Sequence, residues 1–122
     1  LEDIDKRISI IVKACDDKKA FNIKTLNISK LTSIADYFII ASGNSTTQVA
    51  AISDEIEEKM SDNGFNVFHK EGYKSSRWIL LDFGDIVVHV FHREDREFYN
   101  LERLWSDGEE IDNGRFLNAI KL

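Results

Sequence analysis

Apolar positions along this chain change their period repeatedly, and each change marks a new element. Ile4, Ile8, Ile11 and Cys15 recur at helical spacing and form one stripe, with Asp5, Lys6, Lys13 and Asp16 largely off it. This predicts a first helix. From Ile23 to Ile28 the pattern is short and strand-like, with Leu26 and Ile28 on one side, and Ser29 to Ser33 turns the chain. Tyr37 to Ser42 is dense in aromatic and β-branched residues and reads as an interior strand ended by Gly43-Asn44-Ser45. A second helix follows, capped by Asn44 or Ser45. Val49, Ile52, Ile56 and Met60 face its core side, Asp54, Glu55, Glu57 and Glu58 face water, and Asn63-Gly64 stops it.

Val67 to His69 reads as a short strand and Gly72 to Ser76 as a polar loop. Trp78 to Asp82 and Ile86 to Phe91 form the clearest pair, two strands joined by the tight Phe83-Gly84-Asp85 turn into an antiparallel hairpin. Alternation places Trp78, Leu80 and Asp82 on one face and Ile79, Leu81 and Phe83 on the other. Burying an aspartate is costly, so the Trp78 face is expected to be partly exposed and the Ile79 face to be core. From Glu94 the period is helical again, with Phe98, Leu101 and Trp105 on one helix face and Tyr99 beside it. Phe116, Leu117, Ile120 and Leu122 make a late apolar cluster that suggests a short helix. The order predicts a single α/β domain, a mixed sheet of about five strands packed with helices.

At 122 residues the chain has room for one domain. It carries 22 acidic and 16 basic residues, a formal charge of −6. That balance disfavours a broad nucleic-acid grip, which needs the opposite sign, but leaves a basic protein partner open. Cys15 is the single cysteine, so no internal disulfide and no cysteine metal site can form. The longest apolar run, Phe38 to Ala41, is far short of a membrane span. The first residues show no secretory pattern, which points to the cytoplasm; with no initiator Met, an organellar origin stays open.

Residues with chemical potential are few. Asp36, Asp82 and Asp85 stand beside apolar strands, yet a turn separates 82 from 85, and turn-shaping explains them better than a two-metal site. Gly43-Asn44-Ser45-Thr46 lacks the spacing of a phosphate loop. His69, His89 and His92 are poorly spaced for a chelate, and His89 in Val87-Val88-His89-Val90-Phe91 is expected neutral and hydrogen-bonded if its face is covered, a recognition residue if it is open. Cys15 on its apolar stripe is a small hydrophobe. No cofactor, metal or catalytic group is therefore assigned, and an enzyme is the weaker hypothesis. Tyr73, Trp78, Tyr99 and Trp105, interleaved with Lys74, Arg77, Arg93, Arg96 and Arg103, are instead the residue types that anchor protein interfaces.

The run from Trp78 to Phe91 resembles the central motif of the ribosomal silencing factor family, also called Iojap-like, and Arg96 to Asp107 resembles that family's C-terminal helix motif. Asp36 to Ser45 resembles its second-strand motif, with Gln48 matching the usual glutamine and Glu71-Gly72 the usual pair before the hairpin. The likeness runs over roughly residues 4 to 108, so residues 1–108 are taken as the family domain and 109–122 as a tail. Asn27 stands where members often have Asp, and His92-Arg93 replaces a common His-Pro.

The resemblance implies a translational repressor that binds a basic protein on the intersubunit face of the large ribosomal subunit and sterically blocks joining of the small subunit. Little direct contact with ribosomal RNA and none with membrane is implied, and homodimerisation stays open. It also implies a fold like that of nucleotidyltransferases without their activity. Carried over residue by residue, Trp78 and Tyr99 become aromatic anchors, and Asp82, Asp85 and Glu102 meet basic groups. His89 and Arg96 position the surface, and Asp36, Ser42 and Asn44 shape its rim. Two alternatives remain at this point, a nucleotidyltransferase-like enzyme using Asp36, Asp82 and Asp85, and a large-subunit assembly factor without anti-association activity.

Overall fold

The computed structural model describes residues 3–114. The first helical stripe becomes α1 (Asp3–Asp17), with Ile8, Ile11, Val12 and Cys15 buried. After β1 (Phe21–Asn27) and β2 (Tyr37–Gly43) comes α2 (Thr46–Asp62), where the Ser45 side chain accepts from the Gln48 N–H as the N-cap. Three strands follow, β3 (His69–Glu71), β4 (Trp78–Asp82) and β5 (Ile86–His92). Two short helices, α3 (Arg93–Tyr99) and α4 (Leu101–Leu104), and a last strand, β6 (Glu109–Ile111), complete the described chain.

Among the described residues the sheet has six strands in the order β3-β4-β5-β2-β1-β6. β2 and β5 run parallel at its centre, and the remaining pairs are antiparallel. Sequence analysis expected about five strands. The sixth arises because Thr25, Leu26 and Asn27 of β1 pair with Ile111, Glu110 and Glu109. Residues 109–111, taken as tail because the family likeness runs to about 108, pair with β1 in the same sheet. The Asn113 side chain fastens this end by accepting from Thr25 and donating to the Ile23 carbonyl at 2.7 Å. The apolar cluster from Phe116 to Leu122 lies outside the described residues.

Alternation along the strands divides the core in two. One face of the sheet turns Ile39, Ala41, Ile79, Leu81, Val88 and Val90 toward α1 and α2, which cover it with Ile8, Ile11, Val49, Ile52 and Ile56. Cys15 lies in this layer, and burial pushes its thiol up to about 12, so it is inert packing. The other face carries Leu26, Phe38, Ile40, Val87 and Phe91, against which Trp78, Leu80, Leu101 and Trp105 pack only partly buried. Two full helices protect the first face. Two short pieces, of seven and four residues, protect the second.

The second face is thinly covered because the last helix breaks. Asn100 adopts φ 47°, ψ 54°, a left-handed conformation that asparagine tolerates, and separates α3 from α4. An unbroken helix would have turned Phe98, Leu101 and Trp105 to the same side. The break sends Leu101 and Trp105 onto the sheet and leaves Phe98 outside. His92 caps α3 by accepting at Nδ1 from the Glu94 N–H at 3.2 Å, and Arg93, in place of the proline suggested by the family motif, opens that helix.

Candidate functional site

Strand register builds three rows across the thinly covered face. Asp82, Val87 and Phe38 form one, Leu80, His89 and Ile40 the next, and Trp78, Phe91 and Ser42 the third. The aromatic members of these rows meet residues of the broken helix. Trp78 stacks on Phe91 with ring centroids 4.8 Å apart and meets Tyr99 at 4.9 Å. Phe38 meets His89 at 4.8 Å and Trp105 at 5.2 Å, both edge-on. Ile79, Leu81 and Phe83 are buried on the opposite side, as alternation predicts, while Trp78, Leu80 and Asp82 stay half-buried.

His89 holds this surface from beneath. It is 4% exposed, and desolvation pushes it down to about 4, so the ring is neutral near pH 7. The Trp78 indole N–H, which can only donate, reaches His89 Nδ1 at 3.1 Å. The ring proton therefore sits on Nε2, which has no hydrogen-bond partner among the described residues. His89 is a buried acceptor that fixes the tryptophan and so positions the surface from below.

Arg96 and Ser42 likewise lie beneath the surface. Arg96 is 7% exposed, and its guanidinium donates to Ser42 Oγ at 2.8 Å, to the Asn22 carbonyl and to Glu102 at 3.2 Å. It is a clamp joining α3 to the ends of β1 and β2 and to α4. Glu102, half-buried, is its counter-charge. The periodicity of the sequence places Arg96 on a helix but cannot reveal that the helix lies against Ser42, 54 positions away.

The aspartates are distributed differently. Asp82 accepts from the Gly84 N–H at 2.8 Å and shapes the hairpin turn. Asp85 pairs with Arg7 of α1 at 3.1 Å, and its carbonyl accepts from the Asp36 N–H at 2.9 Å. Asp36 and Asp85 thus meet at one end of β2, while Ser42, Asn44 and Arg96 gather at the other, about 20 Å away along seven residues. Asn44 donates its backbone N–H to Gln48 Oε1 at 2.7 Å, a turn-holding role. Among the described residues no group of three or more His, Cys, Asp or Glu is gathered to hold a metal ion.

Residues that sequence analysis did not assign to the site extend the surface. Phe98 of α3 is 79% exposed and Leu104 of α4 75%; Phe98 meets Tyr99 edge-on at 5.1 Å. Phe68 and Ile34 are comparably exposed. Phe68 lies against Gly84, where a Cβ would come within 2.9 Å of its ring. The signal for Phe98 was present in Asn100, but asparagine inside an otherwise helical run rarely announces a break.

A family model described as ribosomal silencing factor during starvation matches residues 1–121. The chain belongs to the ribosomal silencing factor family. Ribosomal silencing factor RsfS of Bacillus subtilis (strain 168) is 47% identical over 105 residues, 86% of this chain and 89% of that protein. A crystal structure of a Chromobacterium violaceum protein superposes with a TM-score of 0.84 at 34% identity, covering 90% of this chain and 91% of that one. A second, from Bacillus halodurans, gives a TM-score of 0.78 at 40% identity over 88% and 97%. In this chain Asp82 is engaged in a turn and Asp85 in an ion pair. No helix among the described residues is long and apolar enough to cross a membrane.

Proposed function

We propose that this silencing factor represses translation by docking its Trp78 face on a basic protein of the large ribosomal subunit, so that its bulk blocks the small subunit. The observation that carries the reading is an apolar surface left open on a chain of net charge −6. Trp78, Tyr99, Phe98 and Leu104 supply anchors of the kind that dominate interfaces. Asp82, Asp85 and Glu102, with Asp36 at the end of the sheet, supply negative charge for a basic partner. His89, Arg96 and Ser42 act below the contact by fixing Trp78 and α3. Asn44 shapes the far rim. The fold is read as nucleotidyltransferase-like in its strand–turn–helix order, put to binding.

The test is sedimentation of the purified protein with isolated small subunits, isolated large subunits and the reassociating mixture. Co-sedimentation with large subunits and loss of the assembled particle is the expected result, and both are expected to weaken in folded Trp78→Ala and Asp82→Lys variants. Binding without loss of assembly replaces repression with an assembly role. Undiminished binding by both variants moves the contact elsewhere.

A further inference from the structure

The helix layer on the opposite side of the sheet carries a second feature that the docking of Trp78 leaves unused. Between α1 and the C-terminal end of α2 lies a groove of about 330 Å³ whose floor is formed by Ile10 and Ala14. Its rim carries Lys6, Lys13 and Lys59, against Asp17 alone. Three lysines around one apolar floor, on a chain with a net charge of −6, reverse the sign of the surface locally. Lys13 is held by Asp17 and also feels Asp16 and Glu55, which favour its charged form. Lys6 and Lys59 enter no ion pair among the described residues, so their charges remain available.

We infer that this groove docks an acidic amphipathic helix of a second protein partner, laid across α1 and α2 as a third helix. Apolar side chains one turn apart fit over half-buried Ile10 and the lysine stems beside it, and flanking carboxylates meet Lys6 and Lys59. The aliphatic stems of the lysines widen the apolar floor while their ammonium groups stay in water. Charge selects the partner. A basic helix meets the like charges of Lys6 and Lys59, and an acidic one meets them with opposite sign. Because α1 and α2 cover the face opposite Trp78, this site stays accessible while the Trp78 surface is engaged.

The experiment titrates the ¹⁵N-labelled full chain with a synthetic helical peptide bearing leucine at alternate third and fourth positions and glutamate between, and with its lysine counterpart. The expected result is amide shifts at Lys6, Ile10, Lys13, Ala14, Lys59 and Asn63 with the acidic peptide only. The Lys6→Glu/Lys59→Glu variant is expected to weaken that binding about tenfold and to bind the lysine peptide instead. Equal binding of both peptides, shifts confined to the Trp78 face, or no shifts at about 1 mM peptide, where even weak docking is populated, overturn the inference. Trp78→Ala is expected to leave peptide binding unchanged, and the double lysine variant to leave large-subunit binding unchanged. Failure of the groove is therefore distinct from failure of the repressor reading.

Discussion

The indole N–H of Trp78 and the Nδ1 of His89 are joined at 3.1 Å across the β4–β5 pair, in a site where the histidine is neutral. Protonating Nδ1 would set two donors against each other. The unfolded histidine takes up its proton near 6.5, the buried one only near 4. Between those values the unfolded chain holds a proton that the native chain lacks, so acid favours unfolding. This contribution is complete above pH 6.5, drains away as pH falls toward 4 and loses nothing more below it. Its full size is on the order of 3 kcal/mol. Urea unfolding at a series of pH values checks this, with His89→Gln as a non-titrating control. An equally steep acid slope in the control assigns the effect to other groups.

Arg96 yields a prediction about architecture. Replacing it with alanine leaves Ser42, the Asn22 carbonyl and Glu102 without their shared donor. The expected loss is roughly 3 kcal/mol, since a partly buried carboxylate is stranded. Arg96→Lys should recover less than half of it, because an ammonium cannot fork toward three acceptors on different elements. Arg93→Ala, at an exposed neighbour, should stay within about 0.5 kcal/mol of the parent. Urea midpoints of the three variants measure the contrast, and a Lys variant as stable as the parent would show that charge alone suffices.

These two residues show what could be read from the chain and what could not. The β4–β5 hairpin was legible because two apolar runs, Trp78 to Leu81 and Ile86 to Phe91, flank a short turn that Gly84, at φ +89°, closes. The stripes of α1 and α2 were legible because local periodicity and burial agree there. What failed was non-local. Nothing near Glu109 indicates that it will pair with Asn27. Nothing in the Arg96 segment distinguishes a clamp on Ser42 from an exposed cation. At β3 the residues predicted as a strand, 67 to 69, paired two positions later, at 69 to 71, because Asp82, Leu81 and Leu80 of β4 set the register. The family motif named these residues but could not sort them into those that face outward and those that hold the face in place.

Two glycines with similar backbone conformation should respond very differently to alanine. Gly72 and Gly64 have φ +82° and +88°. A Cβ at Gly72 would lie 1.9 Å from the Trp78 carbonyl oxygen, whereas at Gly64 nothing lies within 4 Å. Gly64→Ala should therefore cost only the conformational penalty, about 1 kcal/mol. Gly72→Ala should cost roughly 3 kcal/mol or more and displace the start of β4, taking Trp78 with it. Thermal unfolding separates the two, and large-subunit binding should fall only for Gly72→Ala.

The exposed apolar residues of α3 and α4 provide the sharpest separation of binding from folding. Phe98 and Leu104 are 79% and 75% exposed, so the folded chain gains little from them. Phe98→Asp and Leu104→Asp should each shift stability by no more than about 0.5 kcal/mol. An anchor in a desolvated interface behaves otherwise. Losing about 2 kcal/mol of contact there weakens binding roughly thirtyfold. Both variants also add negative charge to a surface already proposed to meet a basic partner, so electrostatics alone should strengthen the interaction. A fall in large-subunit affinity thus assigns the effect to apolar contact with these side chains. Unchanged or improved sedimentation, in variants whose urea midpoints match the parent, would place Phe98 and Leu104 outside the interface and shrink the contact to the rows around Trp78.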